Sequence, residues 1–274
     1  MSPRLSRFAP LAPLALALLL PSKASASERH FTYTYESNVL NPGDVEIEPW
    51  TTWRVGREDY YNRFDQRLEF EFGVVPNLQM AWYWNMKAVA ADSKDAAGNT
   101  VRAQTFEFGG VSNEWKYKLS DSFADALGSA LYFEWTAAPA EFELEAKVIL
   151  DKRMGDFVVA YNAVGEHEWE LESKGETERE IILENDLAFG YFVTPSLVLG
   201  VEARSHSEIK EGELEHTAFF VGPTMAYAQK AWWAALTVQP QVFAIKAPDH
   251  GGHGSLDLEE HERLNVRVLF GMDL

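Results

Sequence analysis

The chain has no cysteine, so no disulfide framework can hold it together. It has no apolar run of the roughly 18 residues that a membrane-spanning helix requires, which leaves only strands as a way to cross a bilayer. Positive charge is scarce: 24 Lys and Arg stand against 42 Asp and Glu, a formal net charge of −18. That balance argues against nucleic acid as a partner and against electrostatic attraction to anionic lipid. No phosphate-cradling glycine loop is present, and neither is a basic patch or a nucleophile beside a base.

What the chain does have begins with an export leader. Arg4 and Arg7 precede an apolar stretch over residues 11–20, and Ala24-Ser25-Ala26 reads as a cleavage site. Residues 1–26 are therefore expected to be a signal peptide and 27–274 a single β domain. The leader carries three basic residues and no acid, so −18 becomes −21 for the remainder. Residues 27–42 are read as a lead-in, with residues 30–36 (HFTYTYE) short enough to be either a first strand or an ordered periplasmic segment.

The clearest signal is alternation. Over residues 60–72 the even positions include Tyr60, Phe64, Leu68, Phe70 and Phe72, and the odd ones include Arg63, Asp65, Arg67, Glu69 and Glu71. After Pro76-Asn77 the alternation resumes through Met80, Trp82 and Trp84. A period of two over this length specifies strands well beyond the usual five or six residues. The pattern recurs around Val193-Thr194-Pro195-Ser196 and continues to the last residue. Counted from Val45, it predicts about twelve strands in an up-and-down antiparallel order. Pro49 predicts an irregular point in the first of them. The phase changes between Phe106/Phe108 and Trp115/Tyr117, which predicts a bulge at Gly109-Gly110.

Tight turns (VVPN, KRMGD, VTPS, QK) alternate with polar, generally longer connections (DSKDAAGNT, ESKGET, IKEGE, KAPDHGGHGS). Aromatics gather toward the strand ends. Trp115, Tyr117, Tyr191, Phe192, Tyr227, Trp232 and Trp233 fall on the tight-turn side, and Tyr60, Trp84, Trp135 and Trp169 on the loop side. A transmembrane β-barrel has this layout. A soluble all-β barrel or sandwich is the competing architecture, because alternation alone does not say which face is inside.

With its leader, girdled alternating strands and alternating terminal strand, the chain resembles the outer-membrane β-barrel proteins of Gram-negative bacteria. The stretch from Gly128 to Glu170 (GSALYFEW…EFELEAKVILDKRMGDFVVAYNAVGEHEWE) is similar to an uncharacterised porin-like family among them. The resemblance implies location in the outer membrane, contact with its lipid and insertion by the barrel-assembly machinery. Members commonly end in Phe, from which Leu274 departs. It implies no catalytic residues.

In a membrane barrel the charged face lines the lumen. Arg63, Arg67, Glu69, Glu71, Lys87, Glu143, Glu145, Glu184, Glu202, Arg204 and Arg267 are the candidate pore-lining residues. Such an acid-rich lining suits passive passage of small polar or cationic solutes. The alternatives are a structural barrel whose charges pair and fill the lumen, or a barrel-embedded lipid hydrolase. For the last, Ser205 and Ser207 are predicted to face away from His206, and His167 to face outward with no serine beside it, so no enzyme is expected. No cofactor is expected either. His250, His253 and His261, near Asp249, Glu259 and Glu260, form the nearest approach to a metal cluster, but their spacing matches no defined site.

Overall fold

The computed structural model describes residues 28–95, 97–171, 177–210, 212–246 and 256–274. The predicted leader and the loop histidines His250 and His253 lie outside the described residues. Twelve strands follow one another: β1 (Val45–Val55), β2 (Tyr61–Val75), β3 (Leu78–Lys94), β4 (Thr100–Ser120), β5 (Gly128–Ala137), β6 (Glu141–Met154), β7 (Phe157–Leu171), β8 (Thr177–Thr194), β9 (Leu197–Lys210), β10 (Glu213–Gln229), β11 (Trp232–Lys246) and β12 (Leu264–Asp273). Each pairs antiparallel with its sequence neighbours, and β1 pairs with β12 to close the barrel. Closure leaves no free edge, so every strand can present ladder groups to a partner.

The outer face is apolar. Phe64, Trp82, Phe106, Leu131, Phe189 and Val268 are exposed, as a lipid-facing belt requires and a soluble protein's surface would not tolerate. No helix among the described residues is long and apolar enough to cross a membrane. The expected irregularities are present. The β1–β12 pairing skips Glu48 and Pro49, where the missing proline N–H would fall. Asn85 pairs with Gly110 and Met86 with Phe108, leaving Gly109 as the bulged residue, and Gly110 takes a φ of 98° that disfavours a side chain.

Three expectations change. The β3–β4 loop is shorter than the sequence suggests, because its polar flanks remain paired: Asp92 opposes Arg102 and Lys94 opposes Thr100 within the ladder. Trp84 lies mid-strand, since β3 continues to Lys94. Trp233 and Phe192 point inward, not to lipid. Trp233 is 3% exposed and its Nε1 donates to Glu46 at 2.8 Å, while Phe192 packs on the buried Phe31 cluster.

Residues 28–44 form no strand. Residues 28–40 run inside the barrel from the end that carries the first and last strand termini, and Asn41, Pro42 and Gly43 are exposed as the chain turns into β1. Phe31, Thr32, Tyr33, Thr34, Tyr35 and Ser37 are all buried. The lead-in is thus neither a wall strand nor a periplasmic extension, but a plug.

Candidate functional site

The lumen is built by alternation. Every second residue of each strand points inward, and antiparallel register places inward residues of neighbouring strands opposite one another. One such row is a chain of carboxylates. Glu46 on β1 opposes Glu71 on β2, and across Ala81 on β3 the row continues through Glu114 on β4, Glu134 on β5, Glu145 on β6 and Glu166 on β7. Like charges directly opposite destabilise a sheet, so this row needs partners from elsewhere. Arg67 Nη2 donates to Glu134 Oε1 at 2.5 Å, and Tyr132 Oη donates to Glu134 Oε2 at the same distance. Tyr83 Oη donates to Glu114. Lys147 Nζ lies 3.0 Å from Glu145.

The plug supplies further partners. Arg29 Nη1 donates to Glu48 at 3.2 Å, next to Glu69 and Glu71. Glu202 on β9 accepts from Thr32 Oγ1 (3.2 Å), Tyr33 N (3.0 Å), Thr34 N (3.1 Å) and Thr237 Oγ1 (2.7 Å). Asn162 on β7 makes a two-way bond with the Tyr35 backbone, receiving its N–H at 2.6 Å and donating to its carbonyl at 2.9 Å. Gln79 on β3 accepts from Leu40 N at 2.9 Å. These bonds answer the backbone groups of a segment that has no ladder of its own. The apolar anchor is Phe31, fully buried against Val158, Ala160 and Ala188. Its ring reaches within 3.1 Å of where a Cβ on Gly190 would stand, so glycine there makes its seat.

Beyond the plug the barrel opens into a cavity of about 640 Å³. One side presents Arg54, Arg63, Arg67 and Arg267 from β1, β2 and β12, and another presents Glu141, Glu143 and Glu170 from β6 and β7. Asp65 pairs with Arg54 and Arg63 on the first side, and Lys87 and Glu107 also line the cavity, so the lining is mixed in sign and not uniformly acidic.

All eleven candidate lining residues lie on the inner face, at three depths. Glu69, Glu71, Glu202 and Arg204 surround the plug, with Arg204 stacked on the Tyr33 ring at 4.5 Å. Arg267 bridges plug and cavity: its guanidinium is 3.7 Å from the Tyr33 ring and Nη1 donates to Thr32 O at 3.4 Å. Arg67 lines the cavity, with its guanidinium over the Trp50 and Tyr83 rings of the wall. Arg63 pairs with Asp65 (2.6 Å), Lys87 with Glu107 (3.6 Å) and Glu145 with Lys147, while Glu143 faces the cavity. Glu184 holds Arg204 (3.3 Å) and His206 (3.0 Å). Glu46, Glu48, Glu114, Glu134 and Arg29 belong to the same network and were not among the candidates.

Carboxylate oxygens approach closely in two buried groups, Glu46/Glu48/Glu71 and Glu69/Glu71/Glu114, each within 4.8 Å. Arg29 and the buried Lys116 stand next to them. His167 stacks on Trp169 at 3.9 Å. Ser205 accepts a bond from outward Asn185, whereas His206 turns inward to Glu184.

A closed twelve-stranded meander with an apolar outer belt and a charged lumen is an outer-membrane β-barrel. Residues 23–274 match DUF6662, described as a family of unknown function, and the chain belongs to that family. Among solved structures the fold is similar to the NanC porin, with a TM-score of 0.52, 11% identity, and coverage of 83% of this chain and 100% of that one. It is also similar to the translocator domain of the autotransporter NalP from Neisseria meningitidis, with a TM-score of 0.50, 13% identity, and coverage of 85% and 89%. No curated protein matches.

Proposed function

We propose that the protein is a gated outer-membrane conduit for small polar or cationic solutes, closed at rest by its own N-terminal segment. The observation that carries this reading is the way residues 28–40 are held. Their bonds to the wall run to its side chains (among them Glu48, Gln79, Asn162 and Glu202), and no strand pairing fixes them. Side-chain bonds of this kind can be exchanged for water one at a time, whereas a ladder cannot. Behind the segment the wall remains charged, so its withdrawal would leave a wettable passage. The cavity of about 640 Å³ is then the external vestibule, on the assumption that the short-turn end faces the periplasm. Export through the signal peptide and insertion by the barrel-assembly machinery belong to the same reading, which involves no catalytic step.

A second reading is a structural barrel with a permanently filled lumen, favoured by the complete burial of Phe31, Thr32 and Ser37. Planar-bilayer recording separates the two. The mature chain is expected to show rare openings. The same chain lacking residues 28–40 is expected to show sustained, cation-preferring conductance. A silent trace from both proteins, each shown to be folded by heat-modifiable migration, would leave the filled barrel standing.

A further inference from the structure

Three histidines from three separate segments meet at the end of the lumen far from the start of β1 and the end of β12. His206 is on β9, His216 on β10, and His261 on the segment 256–263 that leads into β12. The His261 ring sits edge-on to both others, 4.5 Å from His216 and 5.0 Å from His206 between centroids. Its segment is fastened to the barrel: Glu58 N donates to Leu258 O at 2.8 Å, Gln241 Nε2 to Asp257 O at 2.9 Å, and Arg263 N to Gly56 O at 2.9 Å.

Carboxylates converge on the same place. Leu214 pairs with Ile209 and His216 with Glu208, so Glu215 is an extra residue in the β9–β10 ladder. Strict alternation would send Glu215 and His216 to opposite faces. The bulge lets both reach one site, and bulges commonly re-aim side chains in this way. The ligand atoms of Glu208, Glu215 and His216 lie within 4.8 Å of one another, with Glu208 Oε2 2.9 Å from His216 Nε2. The opposite ring nitrogen of His216, Nδ1, faces Asp257 at 3.8 Å, and His206 Nδ1 faces Glu184 at 3.0 Å. The bonded Glu184 carboxylate fixes the His206 ring as outer-shell carboxylates fix metal-ligating histidines, whereas Asp257 lies beyond hydrogen-bond reach of His216 and offers it only charge. The His261 Nε2 is buried without a hydrogen-bond partner.

We propose that Glu208, Glu215 and His216 form a binding site for a divalent first-row transition ion of the zinc type, with His261 as the donor that ties the 256–263 segment to the wall. Mixed imidazole and carboxylate donors suit such an ion and not calcium, which takes oxygen alone. Two carboxylates balance its charge. Lys210, 3.7 Å from Glu215, is the cation it would displace. The proposal does not depend on whether the barrel conducts.

The test is calorimetric titration of untagged, detergent-folded, EDTA-stripped mature protein with ZnCl₂, and with CaCl₂ as control. One zinc per chain and no calcium are expected. His216→Ala and Glu208→Gln should each weaken zinc binding at least tenfold, and His261→Ala severalfold. Because His261 lies outside the strands, that variant keeps the test decisive if the strand variants fail to give a heat-modifiable band. No zinc binding by the folded wild type would overturn the proposal. So would binding that survives these substitutions and disappears on replacing His250 and His253.

Discussion

The two halves of the lumen share one wall chemistry and differ in what answers it. Near the termini, charged inward residues are met by a piece of the chain itself: Glu202 by Thr32 and two backbone N–H groups, Glu48 by Arg29. In the far half the same alternation leaves an arginine side and a glutamate side across a cavity of about 640 Å³. A buried polar group must be paired or wet. The near half is answered by the plug; in the far half Arg54, Arg63 and Arg67 are answered by wall carboxylates, and Glu143 faces the open space where water or a solute can reach it. The contrast places closure and selection in different residues, so each should be breakable without the other.

Closure should respond most to Glu202. Glu202→Ala removes the acceptor of two plug N–H groups and one hydroxyl, and the N–H groups have no ladder to fall back on. Bonds to a charged acceptor are worth about 1.5–3 kcal/mol each and do not add. A loss of about 3 kcal/mol should raise the open fraction by roughly a hundredfold. Single-channel open probability measures this. An unchanged open probability in Glu202→Ala, with a folded barrel, would mean that the plug is not held where the structure holds it. Ion preference should be unaltered.

Selection should respond to Glu143 and Glu145 instead. Replacing both with Lys on a background lacking residues 28–40 should cut the cation-to-anion permeability ratio severalfold, read as a shift in reversal potential under a salt gradient. Open probability should stay the same, since the plug is already absent from this background. The effect is smaller than the first because the arginine side already attracts anions, and salt screens charges across a water-filled space.

Sequence and structure agree where a rule is local. Alternation in residues 60–72 identifies both the lipid-facing Phe64 and Phe70 and the inward Arg63, Arg67, Glu69 and Glu71, because a strand has only two faces. Gly109-Gly110 revealed its bulge through a change of phase. The plug was illegible for the opposite reason. HFTYTYE alternates like a strand, yet its partners are Glu202 and Asn162, more than a hundred residues away, and no periodicity records a side-chain acceptor. Glu46 and Glu48 were missed because Pro49 and Trp50 interrupt their alternation, and Trp233 because an inward tryptophan beside Glu46 resembles a girdle residue in sequence. The histidine cluster needed the fold: only the register of β9 with β10 and the return of 256–263 bring His206, His216 and His261 together.

The smallest expected effect concerns the mouth of the plug. His30 Nδ1 lies 2.9 Å from Glu36 Oε1, and His30 N donates to Glu36 Oε2 at 3.0 Å. Burial works against the charge on His30, but the Glu36 carboxylate outweighs it and raises the imidazole above its ordinary 6.5. Burial would likewise raise Glu36, but the His30 charge and the bonds from its ring and backbone hold it below 4.5. In a withdrawn segment both groups return to ordinary values. The His30 contribution to closure is therefore complete below pH 6.5 and is lost as pH rises through its raised value. The Glu36 contribution is complete above pH 4.5 and is lost as pH falls through its lowered value. Closure from this pair should be strongest between these limits and weaken by about 1 kcal/mol on the alkaline side, roughly a fivefold rise in open fraction. Many lumen carboxylates titrate too, so the wild-type profile alone does not isolate the pair. His30→Gln does: it should raise the open fraction at pH 5.5 and flatten the rise toward pH 8.5. A profile identical to wild type would remove this pair from the closure mechanism and leave Glu202 and Asn162 to carry it.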